Sequence, residues 1–153
     1  MAAGRTMVLS QTAEYALRAM AWLATHPAGE PMRVKDLSVA TGIPSHYLSK
    51  VMRRLVLAGL LVSQKGQGGG FLLSRAPDEI FFIDILIAVD AYSTDERCAF
   101  GWGQCDGEHP CPLHGSWSQL KEQLRSWAEG TSLADVAKSP VDNRELRTAR
   151  GTI

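Results

Sequence analysis

Residues 60–75 read LLVSQKGQGGGFLLSR: two apolar runs flank a loop that holds Lys65 and four glycines between positions 66 and 70. Short apolar runs bounded by glycine predict two strands, at 60–64 and 71–74, closed as a hairpin. A nucleotide-phosphate loop is the competing reading of the glycines. It needs a following Lys-Ser/Thr pair and a helix, and this run leads into a strand instead. A basic, glycine-rich tip suits a nucleic-acid backbone better. Glycines let the main chain approach the sugar-phosphate rail, and Lys65 brings a charge to a phosphate or the minor groove.

What precedes the hairpin decides what it is. Residues 32–61, MRVKDLSVATGIPSHYLSKVMRRLVLAGLL, divide into a short helix over about 33–41, a turn at Gly42 and a longer helix over about 45–58 ended by Gly59. In the longer helix Leu48, Val51, Met52 and Leu55 fall at i, i+3, i+4 and i+7, one buried stripe. Its other faces carry Ser45, His46, Tyr47, Ser49, Lys50, Arg53 and Arg54. An ordinary surface helix has this pattern too, but so does a helix that packs on one side and enters a major groove on the other. The basic hairpin that follows favours the second: a helix-turn-helix with a wing. Upstream, Ser10 or Thr12 can cap a first helix reaching about Thr25, with Tyr15, Ala19, Met20 and Leu23 on its core face.

The expected fold is therefore mainly α with a small β-hairpin wing, a winged helix-turn-helix carrying a long C-terminal helix. Residues 7–78 form the DNA-binding unit and 79–138 the remainder, while the polar, unpatterned stretch 139–153 is expected to be disordered. Charge agrees with this division. Residues 1–75 hold nine Lys or Arg against three acids, and 76–153 hold seven against thirteen, so a net of zero hides +6 and −6 halves. With 45% hydrophobic residues, no window approaching eighteen apolar positions and no secretory start, the chain is expected to be a cytoplasmic globular protein without a membrane partner. No Ser-His-Asp set, paired carboxylates or cofactor motif points to an enzyme.

In the acidic half, residues 76–92 (APDEIFFIDILIAVDAY) predict a core helix capped by Asp78, with Ile80, Ile83, Leu86, Ile87 and Val89 as its stripe. Residues 98–114, CAFGWGQCDGEHPCPLH, hold all three cysteines in the spacing C-x6-C-x5-C-x2-H. Glycines and prolines make this a loop. Thiolates suit iron-sulfur clusters and zinc alike, but structural zinc sites use C-x2-4-C knuckles, whereas wide intervals describe a loop wrapping something larger. An iron-sulfur cluster is favoured over zinc or free thiols, and an electron-transfer protein stays as a further alternative. His114 has the right neighbours for a ligand; His26, His46 and His109 read as surface or groove-facing residues. Leu113, Trp117, Leu120, Leu124 and Trp127 then recur at intervals of three or four, a stripe fit for a dimerisation helix.

Three segments together resemble a known family: MVLSQTAEYALRAMAWLA at 7–24, IPSHYLSKVMRRLVLAGLLVSQKGQGGGFLLSRAPDEI at 43–80, and the spaced cysteines leading to a long helix that ends in GTSLADV. They resemble the Rrf-type bacterial winged-helix transcription regulators, with IscR-like and NsrR-like branches, over about residues 7–138. The resemblance implies a homodimer on a palindromic double-stranded DNA operator. Its affinity for that operator is set by an iron-sulfur cluster sensing redox state, nitric oxide or cluster supply. Cys98, Cys105 and Cys111 would be metal ligands, with a 2Fe-2S cluster favoured and 4Fe-4S the alternative. His114 stands at the fourth-ligand position of the IscR-like branch, and Glu14 at that of the NsrR-like branch, where it is donated by the other subunit. The family's base-reading positions fall on His46, Ser49 and Lys50, and its wing contact on Lys65.

Overall fold

The structure, a computed structural model, describes residues 9–93, 97–105 and 107–138. The expectation for 139–153 lies outside the described residues. Helix α1 (Gln11–Thr25) begins where the Ser10 hydroxyl accepts a hydrogen bond from the Ala13 amide at 3.2 Å. Its inner face is Ala13, Ala16, Ala19, Met20 and Leu23, and the three alanines let four other helices approach it closely. Helix α2 (Val34–Thr41) stops at Gly42, whose φ of 74° lies in the left-handed region that favours glycine. Helix α3 (Ser45–Leu57) starts after Pro44 and buries Leu48, Val51, Met52 and Leu55, as the periodicity predicts. Burying each of the larger ones contributes roughly 1.5–3 kcal/mol.

The wing forms from β1 (Leu61–Gln64) and β2 (Gly70–Leu73), antiparallel, with Leu61 opposite Leu73 and Gln64 opposite Gly70. Its base is fastened by a pair that the sequence pattern does not announce. Met32, just before α2, exchanges both backbone hydrogen bonds with Phe71, at 3.0 and 2.8 Å. The hairpin thus continues the sheet into the helix-turn-helix, and the wing has a fixed direction relative to α3.

Residues 76–92 correct the sequence reading. Asp78 caps no α-helix; it sits in a short 3₁₀ turn, Pro77–Glu79. The chain then extends through Ile80 before α4 (Phe82–Ala88) begins, with the Phe81 amide donating to the Asp84 carboxylate at 3.0 Å. The buried set becomes Ile80, Phe82, Ile85, Leu86 and Val89, whereas Ile83 is half-buried and Ile87 exposed. The physical reason is tertiary. The Ile80 carbonyl accepts from the Leu133 amide and the Phe82 amide donates to the Thr131 carbonyl, both at 2.9 Å, so Ile80 and Phe81 are held extended against the chain leaving the last long helix.

That helix, α5 (His114–Gly130), buries only Ala128 completely. Trp127 meets Phe82 edge-on at 5.4 Å, which docks its C-terminal end on α4. Leu113, Leu120 and Trp127 remain exposed. Helix α6 (Leu133–Ala137) folds back onto α1 and inserts Leu133 into the core. A single core joins α1, α2 and α3 to Ile80, Phe82, Ile85, Leu86, Ala128 and Leu133. Among the described residues no helix is long and apolar enough to cross a membrane.

Helix α6 opens with a reciprocal cap: the Ser132 hydroxyl accepts from the Asp135 amide, while the Ser132 amide donates to the Asp135 carboxylate at 2.8 Å. The Ser132 backbone and hydroxyl hydrogen bonds hold the Asp135 carboxyl below its ordinary value. A depressed folded-state value stabilises the fold above the ordinary carboxylate range, and the gain is lost as pH falls through the folded value. Ser132→Ala removes the hydroxyl's share. An NMR titration of the Asp135 side chain should show its midpoint move upward, towards that of a free aspartate.

Candidate functional site

Helix α3 presents Ser45, His46, Tyr47, Ser49, Lys50 and Arg53 to solvent, opposite the stripe that anchors it. His46 and Tyr47 lie ring to ring at 4.2 Å, and Tyr47 reaches back towards Tyr15 of α1 at 6.2 Å. The Ser49 hydroxyl donates to the Ser45 carbonyl within the helix at 2.9 Å. Lys50 shares a small cavity with Gln11, Thr12, Tyr15, Tyr47 and Arg54 where α1 meets α3. Arg54 faces the protein: its guanidinium donates to the Val89 carbonyl at 3.1 Å and lies 3.5 Å from the Asp90 carboxylate. It ties the rear of α3 to the end of α4. Lys65 stands exposed at the wing, next to glycines with positive φ.

The second constellation is the cysteine loop. Its first turn is held by hydrogen bonds from the Cys98 amide to the Gly103 carbonyl and from the Gly101 amide to the Cys98 carbonyl, each 2.9 Å. Arg97 pairs with Gln104 as an isolated bridge. The Trp117 indole of α5 donates to the Arg97 carbonyl at 3.0 Å, and the His114 amide donates to the Cys111 carbonyl at 3.0 Å. Both ends of the loop are therefore tied to the first turns of α5.

The four sequence-nominated donors of this loop come together in two pairs. The Sγ atoms of Cys98 and Cys111 lie 3.5 Å apart, and Cys105 Sγ lies 3.0 Å from His114 Nδ1. All four line one cavity of about 100 Å³ with Trp102, Gln104 and His109. Among the described residues no three His, Cys, Asp or Glu side chains are gathered around a single point where one metal ion would sit. A hydrogen bond from the Phe100 backbone holds the Cys98 thiol below its ordinary value, and desolvation pushes the Cys111 thiol up.

His109 is exposed, as the sequence suggests, and also lines this cavity. Its position two residues before Cys111 was the available signal. Glu14 is elsewhere, half-buried in the first turn of α1 and absent from the cavity lining. A larger cavity of about 600 Å³ opens on the other side of Cys105 and His114, between Ile83 and Ile87 of α4 and Lys121 and Arg125 of α5.

The donor chemistry fits an iron-sulfur cluster. Metal–sulfur bonds of about 2.3 Å at a tetrahedral centre place two sulfurs about 3.8 Å apart, near the separation Cys98 and Cys111 already have. A two-iron cluster takes protein ligands two per iron, and imidazole nitrogen serves there as well as thiolate.

Comparison with known proteins follows the same lines. Residues 9–139 match the Rrf2 family model, described as an iron-dependent transcriptional regulator. An HTH-type transcriptional regulator of Aquifex aeolicus is 35% identical over 133 residues, covering 85% of this chain and 91% of its own length. The HTH-type transcriptional regulator IscR of Xenorhabdus nematophila is also 35% identical over 133 residues, covering 87% and 80%. Among solved structures, CymR, the global cysteine regulator of B. subtilis, superposes with a TM-score of 0.71 at 23% identity, covering 84% of this chain and 95% of that one. IscR of T. potens does so with 0.67 at 22%, covering 95% and 92%. At those identities the structural likeness speaks for the fold, while the family match and the curated relatives speak for ancestry. The chain belongs to the Rrf2 family of winged-helix, DNA-binding transcription regulators and is not an enzyme.

Proposed function

We propose that this regulator acts as a cytoplasmic homodimer whose affinity for a palindromic operator is governed by an iron-sulfur cluster on the 98–114 loop, 2Fe-2S rather than 4Fe-4S. The observation that carries this reading is the convergence of Cys98, Cys105, Cys111 and His114 on one cavity as two close pairs. The cluster supplies a group that redox agents and nitric oxide can alter. Everything else falls to the chain's own residues. The loop is tied at both ends to α5, through Trp117 and His114, so a change in loop shape is felt at the start of that helix. The exposed Leu113, Leu120 and Trp127 of α5 offer apolar area for a second copy. A shift of α5 against its partner alters the spacing of the two α3 helices, to which half-site recognition is sensitive.

His114 is the fourth ligand in this reading, since it already stands beside Cys105. Glu14 would have to come from the second copy, and the larger cavity beside Cys105 and His114 is the space through which it would arrive. On DNA, Ser45, His46, Tyr47, Ser49 and Lys50 face the groove, Arg53 and Lys65 meet phosphates, and Arg54 sets the position of α3. A second reading keeps the winged helix but uses the thiols without a metal; Staphylococcus aureus CymR, which is also known in an oxidised form, shares the fold at 22% identity.

Anaerobically purified protein tests the proposal. Charge-transfer bands with two iron and two sulfide per subunit are expected, together with a difference in operator affinity between holo and metal-free protein. A colourless protein after reconstitution, or equal affinity in both states on every site tested, would end this reading. A narrower expectation concerns the wing. Lys65→Ala should weaken binding about equally on all duplexes and flatten the log Kd against log salt plot by about 0.9, the share of one phosphate contact.

A further inference from the structure

Three cysteines allow three disulfide pairings, and the sequence does not choose among them. The structure does, because Cys98 Sγ and Cys111 Sγ are in contact at 3.5 Å while Cys105 is engaged with His114.

We propose that the metal-free protein carries a built-in disulfide switch, Cys98–Cys111, which peroxide closes and thiol reductants open, and which excludes metal while closed. Moving from contact to a bond of about 2.05 Å needs only a small displacement of two side chains. Among the described residues between them there is no helix or strand to resist it. Cys98 is nearly covered and Cys111 half-buried, so Cys111 is the sulfur that an incoming oxidant meets first.

The step balances with hydrogen peroxide as the oxidant. The Cys111 thiol gives its proton to solvent and its sulfur attacks one peroxide oxygen, the O–O bond breaks, and a sulfenic acid results with a hydroxide that regains that proton as water. The Cys98 sulfur then attacks the Cys111 sulfur. The S–S bond forms, the S–O bond breaks, and the oxygen leaves as water with the proton from Cys98. In total two thiols and one peroxide give one disulfide and two waters. Closing this bond takes two of the cavity's sulfurs out of reach of iron and leaves Cys105 reduced beside His114. Disulfides of this kind in reducing compartments are transient and regulatory.

The inference uses the same loop as the proposed function but concerns the metal-free chain, so the two can fail separately. Full-length metal-free protein is treated with one equivalent of hydrogen peroxide, alkylated without reduction and digested with trypsin and a protease cutting before aspartate. The expected product joins 98–105 to 106–121 through Cys98 and Cys111, with the alkyl group on Cys105. C105A should give the same cross-link, and C98A should give none within a subunit. Oxidised wild-type protein should take up no iron and sulfide until a thiol reductant is added.

A cross-link through Cys105, one between subunits, or three alkylated thiols would overturn the proposal. So would cluster assembly with the disulfide intact. A protein that forms the disulfide yet never binds iron when reduced would leave this switch standing and remove the cluster.

Discussion

If the proposed cluster is present, Cys111→Ala should leave the anaerobically purified protein with iron and sulfide at background and without visible absorption, a complete loss of cofactor from one substitution. Cys111 lies in thiol contact with Cys98 and its carbonyl accepts a hydrogen bond from the first amide of α5, so its side chain is presented to the cavity from an end of the loop tied to that helix. Removing it deprives any cluster of one of three thiolates, and no other described cysteine remains to replace it. The fold should not share the loss. The core lies in α1, α3, α4 and α6, and Cys111 is not part of it. Far-UV circular dichroism and the thermal midpoint of metal-free Cys111→Ala should therefore match those of the metal-free parent. His114→Ala and Glu14→Ala complete the measurement. Retention of two iron per subunit in His114→Ala but loss in Glu14→Ala would move the fourth ligand to the partner's side. The reverse pattern supports His114.

The second large effect is structural and has nothing to do with metal. Gly70→Ala should destabilise the protein by roughly 2–4 kcal/mol, combining a backbone conformation that only glycine adopts readily with a steric overlap. Gly70 has φ 152°, and a Cβ there would stand 2.6 Å from the Met32 carbonyl carbon and oxygen and 2.9 Å from its nitrogen. Backbone atoms have no free rotation with which to give way. The overlap falls on the strand pair that joins Met32 to Phe71, so the same change should loosen the wing. Denaturant unfolding of the metal-free protein checks the first effect. Faster hydrogen exchange at the Met32 and Phe71 amides, relative to those of α3, checks the second. By contrast Gly66→Ala and Gly68→Ala meet no neighbouring atom, so only the cost of positive φ applies and a smaller loss is expected.

Much of this protein was legible in order of residues alone. Leu48, Val51, Met52 and Leu55 announced which face of α3 is buried because 3.6-residue periodicity is a property of the helix itself. Gly42 and the glycine-rich loop announced their turns because the left-handed region excludes most other residues. The cysteine spacing announced a shared site, since a glycine- and proline-rich loop of this length can bring its thiols together.

The one misreading has a tertiary cause. Residues 76–92 have a helical pattern, yet Ile80 and Phe81 are extended, because hydrogen bonds with Thr131 and Leu133, some fifty residues on, outcompete the local preference. Sequence by itself thus determined the elements whose signals are local: helix faces, turns, the basic and acidic halves and the identity of the donor side chains. Tertiary structure alone decided that Cys98 faces Cys111 while Cys105 faces His114, that Arg54 turns inward to α4, and that Met32 fixes the wing. Those contacts join residues distant along the chain, and their free energy depends on the approach of whole elements rather than on the preferences of any one segment.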